Sequence, residues 1–122
     1  FASTCANGFY ASDLADLALA PVGGGAPFIS PDLGGAAPVQ KSGYTIALVA
    51  GAPTGAATVD ACNTVVAGDL VSNWVATAEP LSAGATGTRF FWVGTLGTIF
   101  ADTAAIVQAD GMSQAPGGNP IQ

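Results

Sequence analysis

Catalysis requires side chains that move protons, attack electrophiles or hold a metal, and this sequence carries few of them. Histidine is absent from the 122 residues, which removes the commonest general base and the commonest neutral metal ligand. The eight carboxylates, Asp13, Asp16, Asp32, Asp60, Asp69, Glu79, Asp102 and Asp110, are scattered along the chain, with no pair set out for acid–base work. Asp13 and Asp16 fall at a helix start, where the helix dipole favours negative charge. Asp60 and Asp69 are too widely spaced to group the oxygens that a calcium ion takes. The serines lack a G-x-S-x-G setting. The glycine runs at 23–25 and 34–35 lack the preceding strand, the following helix and the lysine of a phosphate loop. The expectation is a protein that is not an enzyme and takes no cofactor and no metal.

Two cysteines remain, Cys5 and Cys62. An even count in a small Gly/Pro-rich chain points to one disulfide and an oxidising compartment, two buried free thiols being the alternative. No C-x-x-C spacing suggests zinc. Lys41 and Arg89 are the only basic residues, and the net charge is −6. Nucleic acid is excluded as a partner, because phosphate neutralisation takes several cations on one face. Docking on anionic lipid is excluded for the same reason.

Charged residues make up 8% of the chain, against about a quarter in ordinary soluble domains. Hydrophobic residues reach 50%, much of it alanine, beside 17 glycines and 8 prolines. No apolar run approaches the ~20 residues of a membrane span. So neutral a surface carries little charge to keep free monomers apart, and the expectation is that neighbouring subunits or sugars cover it. No Asn-x-Ser/Thr acceptor occurs. The start FASTCANG has neither the basic nor the apolar region of a signal peptide, as expected of a mature or trimmed exported chain.

The elements that hold these residues are punctuated by Gly and Pro. Ser12 reads as an N-cap, with Leu14, Leu17 and Ala18 on one face, predicting a short helix over 12–19 that Pro21 and the following glycines stop. Residues 21–42 carry four prolines and read as an ordered loop pinned by Phe28, Ile29 and Leu33, with no helix or central strand. Period-two alternation then predicts strands from Tyr44, over Leu70–Glu79, over Thr88–Val93 and over Thr98–Ala101. The aromatic mass, Trp74, Phe90, Phe91, Trp92 and Phe100, is expected in the core. The predicted class is α+β: a short N-terminal helix and long Gly/Pro loop followed by a four-stranded antiparallel meander. One domain is expected over 1–122, with 104–122 a tail draped on the surface or mobile.

The segments YxxxLADLALAP (Tyr10–Pro21), KSGYTIAL (Lys41–Leu48) and NWVATAEPLSAGATGTRFFWVGTLGTIFAD (Asn73–Asp102), with the Cys5/Cys62 pair, resemble in this order the C-terminal domains of bacterial type IV pilins. The last segment is the most specific: an alanine-rich strand ending at Pro80, a glycine-containing turn, an aromatic strand, a tight turn and a short strand. The resemblance implies a four-stranded sheet packed on a long helix and helical assembly into an extracellular, cell-surface filament. The family's hydrophobic N-terminal helix is not in this sequence. The resemblance therefore implies either a chain cut to its head or a helix supplied by a separate short hydrophobic polypeptide, as in split pilins. In the second case Phe1, Phe9, Tyr10, Leu14 and Leu17, with the apolar face of the sheet, are the expected contacts with that helix. Two further functions are weighed on the same segments: a pseudopilin of a type II secretion system, and an adhesin-like surface binding module using exposed aromatics.

Overall fold

The structure, a computed structural model, describes residues 1–35, 39–106 and 118–121. In chain order the elements are β1 (Tyr10–Ala11), α1 (Leu14–Leu17), β2 (Val39–Lys41), β3 (Tyr44–Ala50), β4 (Leu70–Val71), β5 (Trp74–Pro80), β6 (Phe90–Gly94), β7 (Ile99–Asp102) and β8 (Asn119–Pro120). Single 3-10 turns occupy Pro31–Leu33 and Ala67–Asp69. β1 pairs with β4 in a separate two-stranded sheet. The other six strands form one antiparallel sheet in the order β2-β3-β5-β6-β7-β8.

This overturns the α+β class with a four-stranded meander. The described residues are mostly β, with two antiparallel sheets, one of six strands, and a single α-helix of four residues. The helix predicted over 12–19 shrinks at both ends for local reasons. Asp13, rather than Ser12, is the N-cap: its carboxylate accepts from Ala15 N at 3.2 Å. The Ser12 hydroxyl instead donates to the Asp69 carbonyl at 2.9 Å. At the other end, Leu17 O would need the amide of residue 21, and proline has none. It accepts from Phe28 N and Ile29 N instead.

Within the six-stranded sheet, the two strands beyond the expected four lie at its edges; β1, in the other sheet, was also not expected. β2 is reached through Ser42 and Gly43, with φ of 54° and 82°, between the paired residues Lys41 and Tyr44. Two consecutive positive φ values make the two-residue hairpin turn whose twist suits antiparallel strands. Prolines exclude a central strand from 21–42, but not an edge strand, which pairs on one side only. At the far edge, β8 pairs Pro120 with Phe100 and Asn119 with Ala101, so this part of the predicted tail is a strand; residues 107–117 lie outside those described.

The strand predicted over Leu70–Glu79 divides at Ser72–Asn73 into β4 and β5, which join different sheets. Buried Asn73 makes the break, donating to Ala52 O at 2.7 Å and to Thr54 Oγ1 at 3.3 Å. The other two predicted strands shift by a residue or two, to Phe90–Gly94 and Ile99–Asp102.

The apolar residues bury in two clusters. Cys5, Ala6, Ala61, Val65 and Leu70 form one, with Phe1, Phe9 and Phe28 packed on it. Phe28 is thus the loop anchor expected, its ring meeting Phe1 edge-on at 5.2 Å. Val75, Trp92 and Ile106 form the other, with Phe100 against them. Of the five aromatic residues expected in the core only Trp92 is buried, while Trp74, Phe90, Phe91 and Phe100 are half-buried. The reason lies in the sheet's two faces, described next.

Candidate functional site: an open apolar sheet face and its groove

Antiparallel register sorts every strand residue onto one of two faces. Cross-strand partners Leu48↔Ala76 and Ile46↔Ala78 continue to Ala76↔Val93 and Ala78↔Phe91 and to Val93↔Ile99. Tyr44 and Trp74 share this face at its two ends. On the opposite face stand Val75, Trp92 and Phe100, and Ile106 from the following segment packs over them. Among the described residues nothing covers the first face comparably: all of its residues named above are half-buried, except Ile99, which is 42% exposed. The alternation therefore produces an apolar surface on both sides of the sheet, of which the described chain covers one.

Three adjoining depressions mark the open face. The largest, about 520 Å³, lies where the N-terminal segment overhangs the sheet. Phe1, Tyr10, Leu14 and Leu17 form its wall, and Leu48, Trp74 and Ala76 form its floor. The Tyr10 and Trp74 rings stand 6.4 Å apart where wall meets floor. A second depression of about 280 Å³ runs over Ile46, Ala78, Phe91 and Val93. A third, about 240 Å³, reaches Lys41 and Tyr44 at the far end. Ala76 and Ala78 lie along the middle as a low floor between the Leu48/Ile46 and Val93/Phe91 rows, so a partner's backbone can approach closely there.

Four of the five contact residues expected from the sequence, Phe1, Tyr10, Leu14 and Leu17, are brought together in this groove. The fifth, Phe9, turns inward onto the disulfide cluster instead. The sequence pointed to the apolar face of the sheet without naming Leu48 and Ala76, and it placed Trp74 in the core; the strand alternation assigns residues to a face without saying whether that face is covered.

The groove wall is held from behind. Cys5 and Cys62 are joined by a disulfide with Cα atoms 4.9 Å apart, as the even cysteine count predicted, and Cys62 N also donates to Cys5 O at 2.9 Å. Next to it, fully buried Asn63 donates through Nδ2 to Asp16 O at 2.7 Å and to Leu19 O at 3.2 Å, capping carbonyls at the end of α1. Among the described residues its Oδ1 has no hydrogen-bond partner. Sequence reading missed Asn63 altogether.

The carboxylates form no cation site: among the described residues no group of three or more His, Cys, Asp or Glu could hold a metal ion. Asp60 Oδ1 accepts from Ala67 N at 2.8 Å, an internal use. Asp32 is held below the ordinary carboxylate range by hydrogen bonds from Lys41 and Ser30, and Lys41 forms an ion pair with it. Asp16 is displaced upward, chiefly by burial and then by repulsion from Asp13 and Asp69. A raised folded pKa means that ionised Asp16 opposes folding, and that the penalty is relieved as pH falls through that pKa. An Asp16→Asn variant is therefore expected to be more stable than wild type at neutral pH. The gap should close on acidification, as read from urea midpoints at neutral and acidic pH. A gap of the same size at both would show that repulsion and desolvation of the carboxylate are not its cause.

No protein-family model, no curated protein and no solved structure matches the chain. Among the described residues no helix is long and apolar enough to cross a membrane.

Proposed function

We propose that this chain is a structural, non-catalytic subunit of an extracellular type IV pilus-like filament, forming the outer globular layer around a core of helices. In this reading the open face of the six-stranded sheet rests on an apolar helix belonging to a separate short polypeptide. The observation that carries it is the uncovered apolar face, continuous with the groove under Phe1, Tyr10, Leu14 and Leu17. Contiguous apolar surface of this kind is where partner chains dock.

The dimensions support a helix as the occupant. The strands β2, β3, β5, β6 and β7 span about 19 Å at the usual spacing of roughly 4.8 Å, which accommodates one helix some 10–12 Å wide with its flanking side chains. The seven residues of β3 run for about 23 Å, the length of roughly four helical turns. The segments that resemble pilins, Lys41–Leu48 and Asn73–Asp102, are the ones that supply the face.

Intact-mass spectrometry under non-reducing conditions, on filaments sheared from the native cells, tests this. The expected result is this chain at its own mass, two hydrogens light, beside a short hydrophobic polypeptide. Its absence from filaments, together with a secretion defect on deletion, would replace the reading with that of a secretion pseudopilin.

A further inference from the structure

The Cys5–Cys62 bridge is buried at one end only. Cys5 is 8% exposed and sits among Ala6, Ala61, Val65 and Leu70, with Phe1, Phe9 and Phe28 packed against them. Cys62 is exposed. Its amide donates to Cys5 O at 2.9 Å and its carbonyl accepts from Val22 N at 3.0 Å. With both backbone groups bonded inside the molecule, its side chain is the part that meets solvent. Val22 and Leu19 stand beside it, 75% and 45% exposed. Val22 is held there by that amide, and Leu19 by the Asn63 side chain that donates to its carbonyl.

We propose that Cys62 Sγ is a thiol–disulfide exchange site, the sulfur at which an external thiolate enters the bridge, with Cys5 as the leaving group. Exchange proceeds by attack of a thiolate on one sulfur of the pair, at a rate that depends on access to that sulfur. The incoming sulfur bonds to Cys62 Sγ as the Cys5–Cys62 bond breaks, and Cys5 leaves as a thiolate that takes a proton from water. A second thiolate attacks the incoming sulfur and releases Cys62. The bridge is then reduced by two electrons, and the two external thiols have become a disulfide. Run in reverse, an external disulfide accepts those electrons and the bridge closes.

A thiolate released into apolar surroundings leaves less readily, which slows the step without redirecting it. Attack on Cys5 needs the cluster around it to open first, whereas Cys62 is reached in the folded chain. Cys5 lies between Phe1 and Tyr10 along the sequence, so exchange at Cys62 unties the groove wall without any reagent entering the core. Two carriers of the thiolate fit this chemistry: a free small thiol, or a C-x-x-C dithiol protein, to which the exposed Val22 and Leu19 offer apolar contact. The assignment goes beyond the filament reading and does not rest on it.

The test maps the first adduct on the wild-type chain. The protein is treated with β-mercaptoethanol, an uncharged thiol that the net charge of −6 does not repel, then quenched with acid at low conversion and alkylated. Cleavage after Lys41 and Arg89 puts the two cysteines on different peptides, so mass spectrometry reads which one carries the adduct. In native buffer the adduct is expected on Cys62 over Cys5 by about tenfold or more, and in concentrated urea on both, since unfolding removes the difference in access. An even split in native buffer, a preference for Cys5, or adduct that forms only in urea would each overturn the proposal. A C-x-x-C protein with its second cysteine replaced by serine, used in place of β-mercaptoethanol, separates the two carriers. Where a protein is the carrier, Val22→Ser should slow its capture by about tenfold, the worth of one buried valine, and leave the small-thiol rate unchanged. Equal rates for variant and wild type with both reagents assign the site to small thiols. Both results keep Cys62 as the point of entry.

Discussion

A chain with both Cys5→Ala and Cys62→Ala is expected to lose about 4 kcal/mol of folding stability, the chain-entropy value for a loop of this span. The sequence separation of the bridged residues is 57. Against the 5–15 kcal/mol that small domains possess in total, this is a large share. The loss should also be local in character. The bridge joins the N-terminal segment to the loop before β4, within the cluster of Cys5, Ala6, Ala61, Val65 and Leu70. The second cluster, around Val75 and Trp92, has no covalent link to it. In the variant, or in wild type under a strong thiol reductant, the groove wall of Phe1, Tyr10, Leu14 and Leu17 should therefore loosen before the six-stranded sheet does. Urea unfolding followed by tryptophan fluorescence distinguishes the two regions, since Trp74 contacts Tyr10 in the groove and Trp92 lies in the second cluster. Single-tryptophan versions should separate in midpoint after reduction and coincide before it. An unchanged midpoint in the double alanine variant would refute the structural role of the bridge.

Leu48→Asp should abolish assembly onto a helical partner while leaving the free chain folded. Leu48 is half-buried on the open face, so in the isolated chain a carboxylate there can still reach water, and the expected cost is about 1 kcal/mol or less, as for most surface substitutions. Once a helix covers the face, the same carboxylate is buried with no Lys or Arg side chain on the groove floor or wall to pair with. Several kcal/mol of desolvation then falls on binding alone, a loss of at least about a hundredfold in affinity. The matched control is Val49→Asp, one residue along the same strand, 54% exposed and on the opposite face. It should assemble like wild type. Recovery of each variant in sheared filaments provides the measurement. Leu48→Asp present at the wild-type level would rule out burial of this face, and loss of both variants would point to a general folding defect instead.

Much of this molecule's β character was legible in its sequence. The alternation through Tyr44, Ile46 and Leu48, and through Trp74, Ala76 and Ala78, marks strands because period two is a local property of a pleated backbone. What misled was weight: a capped apolar pattern over 12–19 reads as helix, but the proline at position 21 and competition from Phe28 and Ile29 for Leu17 O leave it four residues. The edge strands were missed because three and two residues are too short to show periodicity. The Ser42-Gly43 turn was the available signal for β2. For β8, a Pro-containing end reads as tail until β7 is seen beside it.

The candidate site divides in the same way. Residue types alone argued against metal, nucleic-acid and acid–base roles, whereas the expected contacts Phe1, Phe9, Tyr10, Leu14 and Leu17 followed from the resemblance and not from residue types. Neither could place Phe9, which faces the disulfide, nor show that Asn63, 47 residues from Asp16, closes off the helix that carries the groove wall. Local chemistry, then, was set by the sequence itself: which segments extend, where turns fall, which side chains are apolar, and that two cysteines can pair. Only the tertiary structure decided which of the two sheet faces the described residues pack and which they leave open, because burial depends on what distant segments lie across it. Ile106 lies over the Val75/Trp92 face, whereas the N-terminal segment overhangs the Leu48/Ala76 face at one end only.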